Sequence, residues 1–487
     1  MAAYDDLEPW QVLKHFKNLS SLPRGSQGEK QVSDYLLSFA TSLGLEASQD
    51  EMDNILIRKP ASPGYESAPA LLLHGHMDMV CVKEACSAHD FTKDPLTLKV
   101  TGDYIHADRT SLGADNGIGV SYIMALLESN DLPHPALEAV ITVMEEMGKA
   151  GANKFNVSSL RAKRMVDFNW ITDNQLLAGC GGDISCKIDV PGCWMSPMPE
   201  SQALQVSVIG LSGGHCEFDI HQERANAIIL AARLAREIFS EFSVYLANLQ
   251  GGNQNNVIPE TADMLLVLQS HDVEGVRAKI KEFEGVFRSE HAVSDPDLKI
   301  TISDAPLPER VFSPDAAQRL FAIISIIPNG VISMSRNIDG LVESSCNLGT
   351  ARQDDQGVSL MSTITAGVSS RKHDIFRRMK QTADLAGGGT KFSQFGLDAP
   401  EFPPLDNSVM VAKAVEAYEK LGLEKPEVLV SSCSLELGFF VSRIPGLDTV
   451  GIGTELLDIH SPKERVNHRS VAKSWRVVKK FVSLLDK

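Results

Sequence analysis

Apolar positions along this chain follow two rhythms. Val32, Leu36, Phe39, Ala40 and Leu43 recur at helical spacing behind Ser26-Gln27-Gly28-Glu29, where Ser and Glu three apart predict a capping box. Mostly apolar stretches at residues 54–57 and 137–144 and the unbroken run 71–73 predict short buried strands, and residues 96–100 and 104–107 a hairpin turning at Gly102. After a glycine-bearing turn at residues 111–117, Ile118, Tyr122, Ile123, Leu126 and Leu127 mark another helix. Buried strands alternating with helices define an α/β layer with a mostly parallel sheet.

Around residues 191–199 the pattern gives way to a loop rich in Pro, Gly, Met and Ser, read as a crossover. Strands at 204–209, 264–268, 299–302 and 358–364 then mix with helices at 226–239 and 276–287 and a core element at 321–327, an α+β arrangement. From residue 402 the first pattern resumes, with a helix at 408–421, strands near Val428 and Val450, and a last helix at 471–485 striped by Val471, Trp475, Val478, Phe481 and Leu485. The expected architecture is an α/β domain made of residues 1–189 and 396–487, interrupted by an α+β domain over 190–395.

Composition narrows the function. With 487 residues the chain is long for a single core. A net charge of −17 argues against nucleic acid or an anionic membrane as partner. No apolar run is long enough to span a bilayer, and the first residues lack the basic-then-apolar order of a secretory signal. The eight cysteines are scattered without a CxxC pair, as expected of reduced thiols in the cytoplasm.

Polar residues gather where the strands end. His76 and Asp78 follow Leu71-Leu72-Leu73, an imidazole with a carboxylate placed to orient it. Asp115 precedes a helix, Glu145-Glu146 follow a buried strand, His460-Ser461-Pro462 lie beyond Val450-Gly451-Ile452-Gly453, and His215 follows Gly213-Gly214. Singly these read as a capped strand end, a helix cap, an acidic turn and solvated histidines. Together, two histidines and several carboxylates at strand ends of one layer suit a divalent metal such as zinc, and a bridging carboxylate would make a two-metal hydrolytic centre.

The strings Asp53-Asn54-Ile55-Leu56-Ile57-Arg58-Lys59-Pro60, Phe91-Thr92-Lys93-Asp94-Pro95, Leu112-Gly113-Ala114-Asp115-Asn116-Gly117-Ile118-Gly119, Pro328-Asn329-Gly330-Val331 and His460-Ser461-Pro462 carry a family resemblance over nearly the whole chain. The sequence resembles the aminoacyl-histidine dipeptidase (peptidase D, cytosol non-specific dipeptidase) family of two-zinc peptidases. The resemblance implies that His76 binds one zinc and Glu146 with His460 the other. Asp115 would bridge them through a cis peptide to Asn116. Glu145 would be the general base, and Asp78 would orient His76. The inserted domain would be a lid forming a homodimer, with His215 stabilising the oxyanion across it.

Several positions depart from that pattern. Asn169 stands where a ligand Asp is expected, with Asp167 two residues away. Asn255 replaces an arginine, Ser369 another with Arg371 nearby, and Ser432 a histidine, whereas Leu435-Glu436 and Gly438 match. Asn255 and Glu436 are the candidate substrate contacts. Two readings follow: a metallopeptidase acting on dipeptides or small amides with one or two zinc or other divalent ions, and a catalytically impaired homologue kept as a dimeric binding component.

Overall fold

The computed structural model describes residues 4–486, which form two compact units. In the first, helices α1 (Trp10–Ser20) and α2 (Lys30–Ser42) precede strands β1 (Glu46–Gln49), β2 (Ile55–Lys59) and β3 (Leu71–His76). Strands β4 (Leu98–Thr101) and β5 (Tyr104–Ala107) pair as a hairpin through Gly102, whose φ of 61° suits a residue without Cβ. Helix α3 (Ala114–Glu128), β6 (Leu137–Thr142), α4 (Ala150–Lys154), β7 (Arg164–Trp170) and β8 (Gln175–Pro191) follow.

The sheet of this unit runs β1-β2-β6-β3-β7, then Asp448–Gly453, then the first residues of β8. β3 is parallel to both neighbours, β6 and β7, and Asp448–Gly453 is parallel to β7. All six residues of β3 are buried, as its unbroken apolar lead-in requires. α3 is buried on every side from Ala114 to Leu127, so its composition is apolar all round rather than striped.

The second unit is antiparallel. The later part of β8 pairs with Gly357–Ala366, which pairs with Val342–Gln353; beyond it lie Val244–Gly251, Ala262–Gln269, Ser201–Ile209 and Lys299–Ala305. Helices Ala227–Glu241, Val273–Glu290, Pro314–Ile326 and Ser369–Ala386 bury their apolar faces in the same core. Asn226 and Ser313 cap two of them, each side chain accepting backbone N–H groups of the first turn. Residues 321–327 thus fall within a helix and its C-cap.

One local expectation is corrected. Ser26 and Glu29 do not cap α2, which starts at Lys30 without a side-chain cap. Instead Ser26 Oγ donates to Asp78 Oδ2 at 2.8 Å, and Glu29 Oε1 accepts the Met144 N–H at 3.0 Å. The two compact units divide at 180/181 and 401/402, with Ser432–Ser434 joining the second. Residues 190 and 191 belong to β8, the long strand inside which the chain passes from one unit to the other.

Candidate metal centre

Because β6, β3 and β7 run parallel, their carboxyl ends open along one edge of the first unit, where α/β sheets place ligands. His76 is the last residue of β3, Glu145 and Glu146 follow β6, and Asp115 enters α3 through a cis peptide bond to Asn116. His460 arrives from the loop after Asp448–Gly453. His76 Nε2 lies 3.0 Å from Asp115 Oδ1, and His460 Nε2 lies 3.5 Å from Asp115 Oδ2 and 3.1 Å from the Glu146 carboxylate. Donor atoms of His76, Asp115 and Glu146 all fall within 4.8 Å of one another, the one such group among the described residues.

The electrostatics match a cation site. Burial, with Glu146 and Glu436 nearby, pushes Glu145 up to about 8, against the opposing pull of His76 and Lys149. Burial also raises Glu146, helped by Asp115. Burial disfavours charge on His460, yet hydrogen bonds with Asp115 and Glu146 outweigh it and raise the imidazole to about 11. The carboxylates thus draw positive charge onto His460, whose side chain is 46% exposed, beside the buried His76. Two imidazoles and two carboxylates converging there are the donor set of a borderline divalent ion such as zinc.

Asp78 organises this set from behind. Its Oδ1 is 3.4 Å from His76 Nδ1, and its backbone oxygen 3.2 Å. The same carboxylate accepts the N–H of Glu145 at 3.1 Å and of Glu146 at 3.2 Å. One side chain therefore orients the histidine and fixes the backbone of both glutamates. Asn54 holds the loop on either side, accepting the Val143 N–H at 3.0 Å and donating to the Gly151 oxygen at 3.2 Å. A Cβ on Gly151 would collide with the Val143 carbonyl, so this loop admits only glycine there.

Asn169 takes a different place from the four convergent side chains. Its Oδ1 accepts from Asn116 Nδ2 at 3.0 Å. Asp167, the alternative, is wholly buried with Oδ1 2.6 Å from His74 Nδ1, and so is engaged elsewhere. His74 Nε2 in turn lies 3.3 Å from Glu436 Oε2, which accepts from Thr142 Oγ1 at 2.7 Å. Burial opposes charge on His74, but Asp167 and Glu436 prevail and raise it to about 9. Glu436, read from sequence as a substrate contact, is 2% exposed inside this network. Sequence reasoning passed over His74; the signal was a polar ring on a strand buried on both faces, which demands partners.

In the second unit, the Glu217 N–H donates to His215 Nδ1 at 3.2 Å, which leaves the proton of the neutral ring on Nε2. Asn255 Nδ2 donates to Thr363 Oγ1 at 2.9 Å and Ser185 Oγ at 3.3 Å. Arg371 donates to Ser333 Oγ at 2.9 Å, and Ser432 Oγ to the Glu217 backbone oxygen at 2.7 Å.

Histidines and carboxylates gathered at strand ends of an α/β layer, in a chain interrupted by an antiparallel unit, suit a metallopeptidase, and the chain belongs to peptidase family M20/M25/M40, whose model matches residues 72–484. It is a hydrolase of that class. The chain is 28% identical to the cytosol non-specific dipeptidase of Escherichia coli K12 over 478 residues, 98% of each chain. Its structure is similar to that of the aminoacylhistidine dipeptidase of Vibrio alginolyticus, with a TM-score of 0.84, 28% identity and coverage of 99% and 98% of the two chains. The aminopeptidase PepT of Bacillus cereus shares the fold at a TM-score of 0.56 and 16% identity, over 99% of this chain and all of that one. Among the described residues no helix is long and apolar enough to cross a membrane.

Proposed function

We propose that the protein is a cytoplasmic, zinc-dependent dipeptidase in which Glu145 is the general base. The observation that carries this reading is the convergence of His76, Asp115, Glu146 and His460 beside a glutamate whose basicity is raised to about 8. Similarity to two dipeptidases over nearly their full lengths supports the substrate class.

His76, Asp115, Glu146 and His460 would hold the ion, and Asn169 would offer only a neutral amide oxygen. A divalent ion supplies Lewis acidity toward the scissile carbonyl and acidifies water. Glu145 takes a proton from the attacking water as its oxygen bonds to the carbonyl carbon. It then delivers that proton to the amine as the C–N bond breaks, so atoms and charge balance. His215, with its proton on Nε2, is the donor for the tetrahedral oxyanion in a homodimer.

Metal analysis and turnover on a dipeptide panel test the reading. Glu145→Gln should retain metal and lose roughly 10²–10⁴-fold in kcat. Wild-type-like turnover in that variant would remove Glu145 from the mechanism. A second reading, a weakened homologue serving as a dimeric binding component, is favoured by the Asn169 amide and by Asn255, whose donors are turned onto Thr363 and Ser185. A metal-loaded protein inert on every dipeptide would select it.

A further inference from the structure

The turn that carries Asp115 is gripped by two buried ionic side chains that the chemistry above does not use. Glu464 Oε2 accepts the N–H of Leu112 at 2.7 Å and of Gly113 at 2.9 Å; Oε1 accepts those of Ala114 at 2.8 Å and Asp115 at 3.3 Å. The Arg24 guanidinium donates to the carbonyls of Met77 at 3.1 Å, Asp78 at 3.4 Å and, more closely, Gly113. Each side chain is only 2% exposed.

Three ligand-bearing segments meet at this pair. Arg24 joins the end of β3, just past His76, to the Asp115 turn, and Glu464 joins that turn to the segment that brings His460. A Cβ on Gly113 or Gly117 would collide with Arg24 Nη2, so the turn is shaped around the guanidinium. Buried ions give little stability that well-packed apolar residues would not, whereas they specify geometry where their hydrogen bonds are fully made. Here every oxygen of Glu464 is used on backbone N–H groups within one turn, while Arg24 spends both terminal nitrogens on carbonyls and leaves Nε without a hydrogen-bond partner.

We propose that Glu464 and Arg24 are positioning residues of the metal centre, setting where the Asp115 carboxylate stands relative to His76 and His460. The inference rests on the function proposed above. Glutamine at 464 keeps one acceptor oxygen for two of the N–H groups and sets an amide NH2 against the other two, so the turn must shift. The side chains of His76, Glu146 and His460 are untouched by the change.

The test is a competitive zinc titration of the full chain, with the visible spectrum of the cobalt-loaded protein as second readout. Glu464→Gln should bind zinc roughly 10–100-fold more weakly, the range for residues that orient ligands. Its cobalt spectrum should change, and kcat should fall while KM stays within about threefold. A lowered Tm with unchanged zinc affinity and spectrum would mean a merely structural role and overturn the proposal. Wild-type protein in the same titration separates the two claims: no metal bound there defeats the proposed function itself, whereas equal binding by wild type and variant defeats only this inference. Should Glu464→Gln not fold, Arg24→Lys keeps the charge but loses the fork, and unchanged zinc affinity in it would equally overturn the proposal.

Discussion

In the proposed centre, Asn169 decides how evenly metal would be held. Were Asp115 to bridge two ions, one side would keep Glu146 and His460, and the other would have His76 and a neutral amide whose oxygen already accepts from Asn116. Asp167 is committed to His74. Zinc should therefore bind lopsidedly, and Asn169→Asp should tighten the weaker position and raise dipeptide turnover. Two equal, tight sites in wild-type protein by calorimetric titration would refute this. On the proposed mechanism Glu145 would set the pH response. A base must be ionised to act, and burial holds this carboxyl up to about 8, so activity should rise with pH on an acidic limb. A bound cation favours the ionised form and moves that limb below 8. The limb should vanish, with the rate, in Glu145→Gln.

The residues legible in the sequence were those whose chemistry is out of place locally: His76, Asp115, Glu146 and His460 interrupt apolar patterns at element ends, and the structure brings them together. Ser26 and Glu29 were misread because a capping box is a local pattern, while their actual partners, Asp78 and Met144, lie 52 and 115 residues away. Arg24 and Glu464 gave no local signal at all. Their acceptors and donors are tens to hundreds of residues distant, and the burial that makes an ionic group informative is a property of the folded chain.

At the level of elements, β3 read clearly because burial on both faces leaves an apolar lead-in of three leucines, whereas its neighbour β7, with Asp167 and Asn169 among its apolar residues, was not read as a strand. Leu72 is fully buried, and Leu72→Ala should lower unfolding free energy by about 2–5 kcal/mol in denaturant titration. A loss under 1 kcal/mol would show that the site collapses around the gap. β8 was hidden by its own glycines. Gly179, Gly181 and Gly182 suggest a turn, yet a Cβ on Gly181 would strike the Ser432 carbonyl and one on Gly182 the Ala399 carbonyl. These glycines admit close backbone approach within a strand, which sequence alone does not distinguish from punctuation. Helix Ser369–Ala386 was missed for a different reason: its many charged residues obscure the stripe of Ile375, Met379 and Ala383 that it buries.

For the whole molecule, alternation of patterns revealed two units but not their boundaries, since one strand serves both. The proposed homodimer is supported by helices Pro314–Ile326 and Ser369–Ala386, which line an open groove and leave Ile326 67% and Leu385 89% exposed. Exposed apolar side chains on these adjacent helices are where the proposed second copy would dock. Leu385→Asp should therefore shift sedimentation toward monomer, and an unchanged dimer would place the interface elsewhere.

Glu146 and His460 are 314 residues apart in the chain. At translation rates of about 5–20 residues per second, roughly 15–60 s separate their emergence from the ribosome. Throughout that interval the nascent chain carries Asp115, Glu145 and Glu146 without His460, so a fragment ending before residue 460 lacks one donor of the proposed centre. On the proposed reading, the full set of four donors therefore exists only once residue 460 has been made, although His76, Asp115 and Glu146 already form a three-donor group before it.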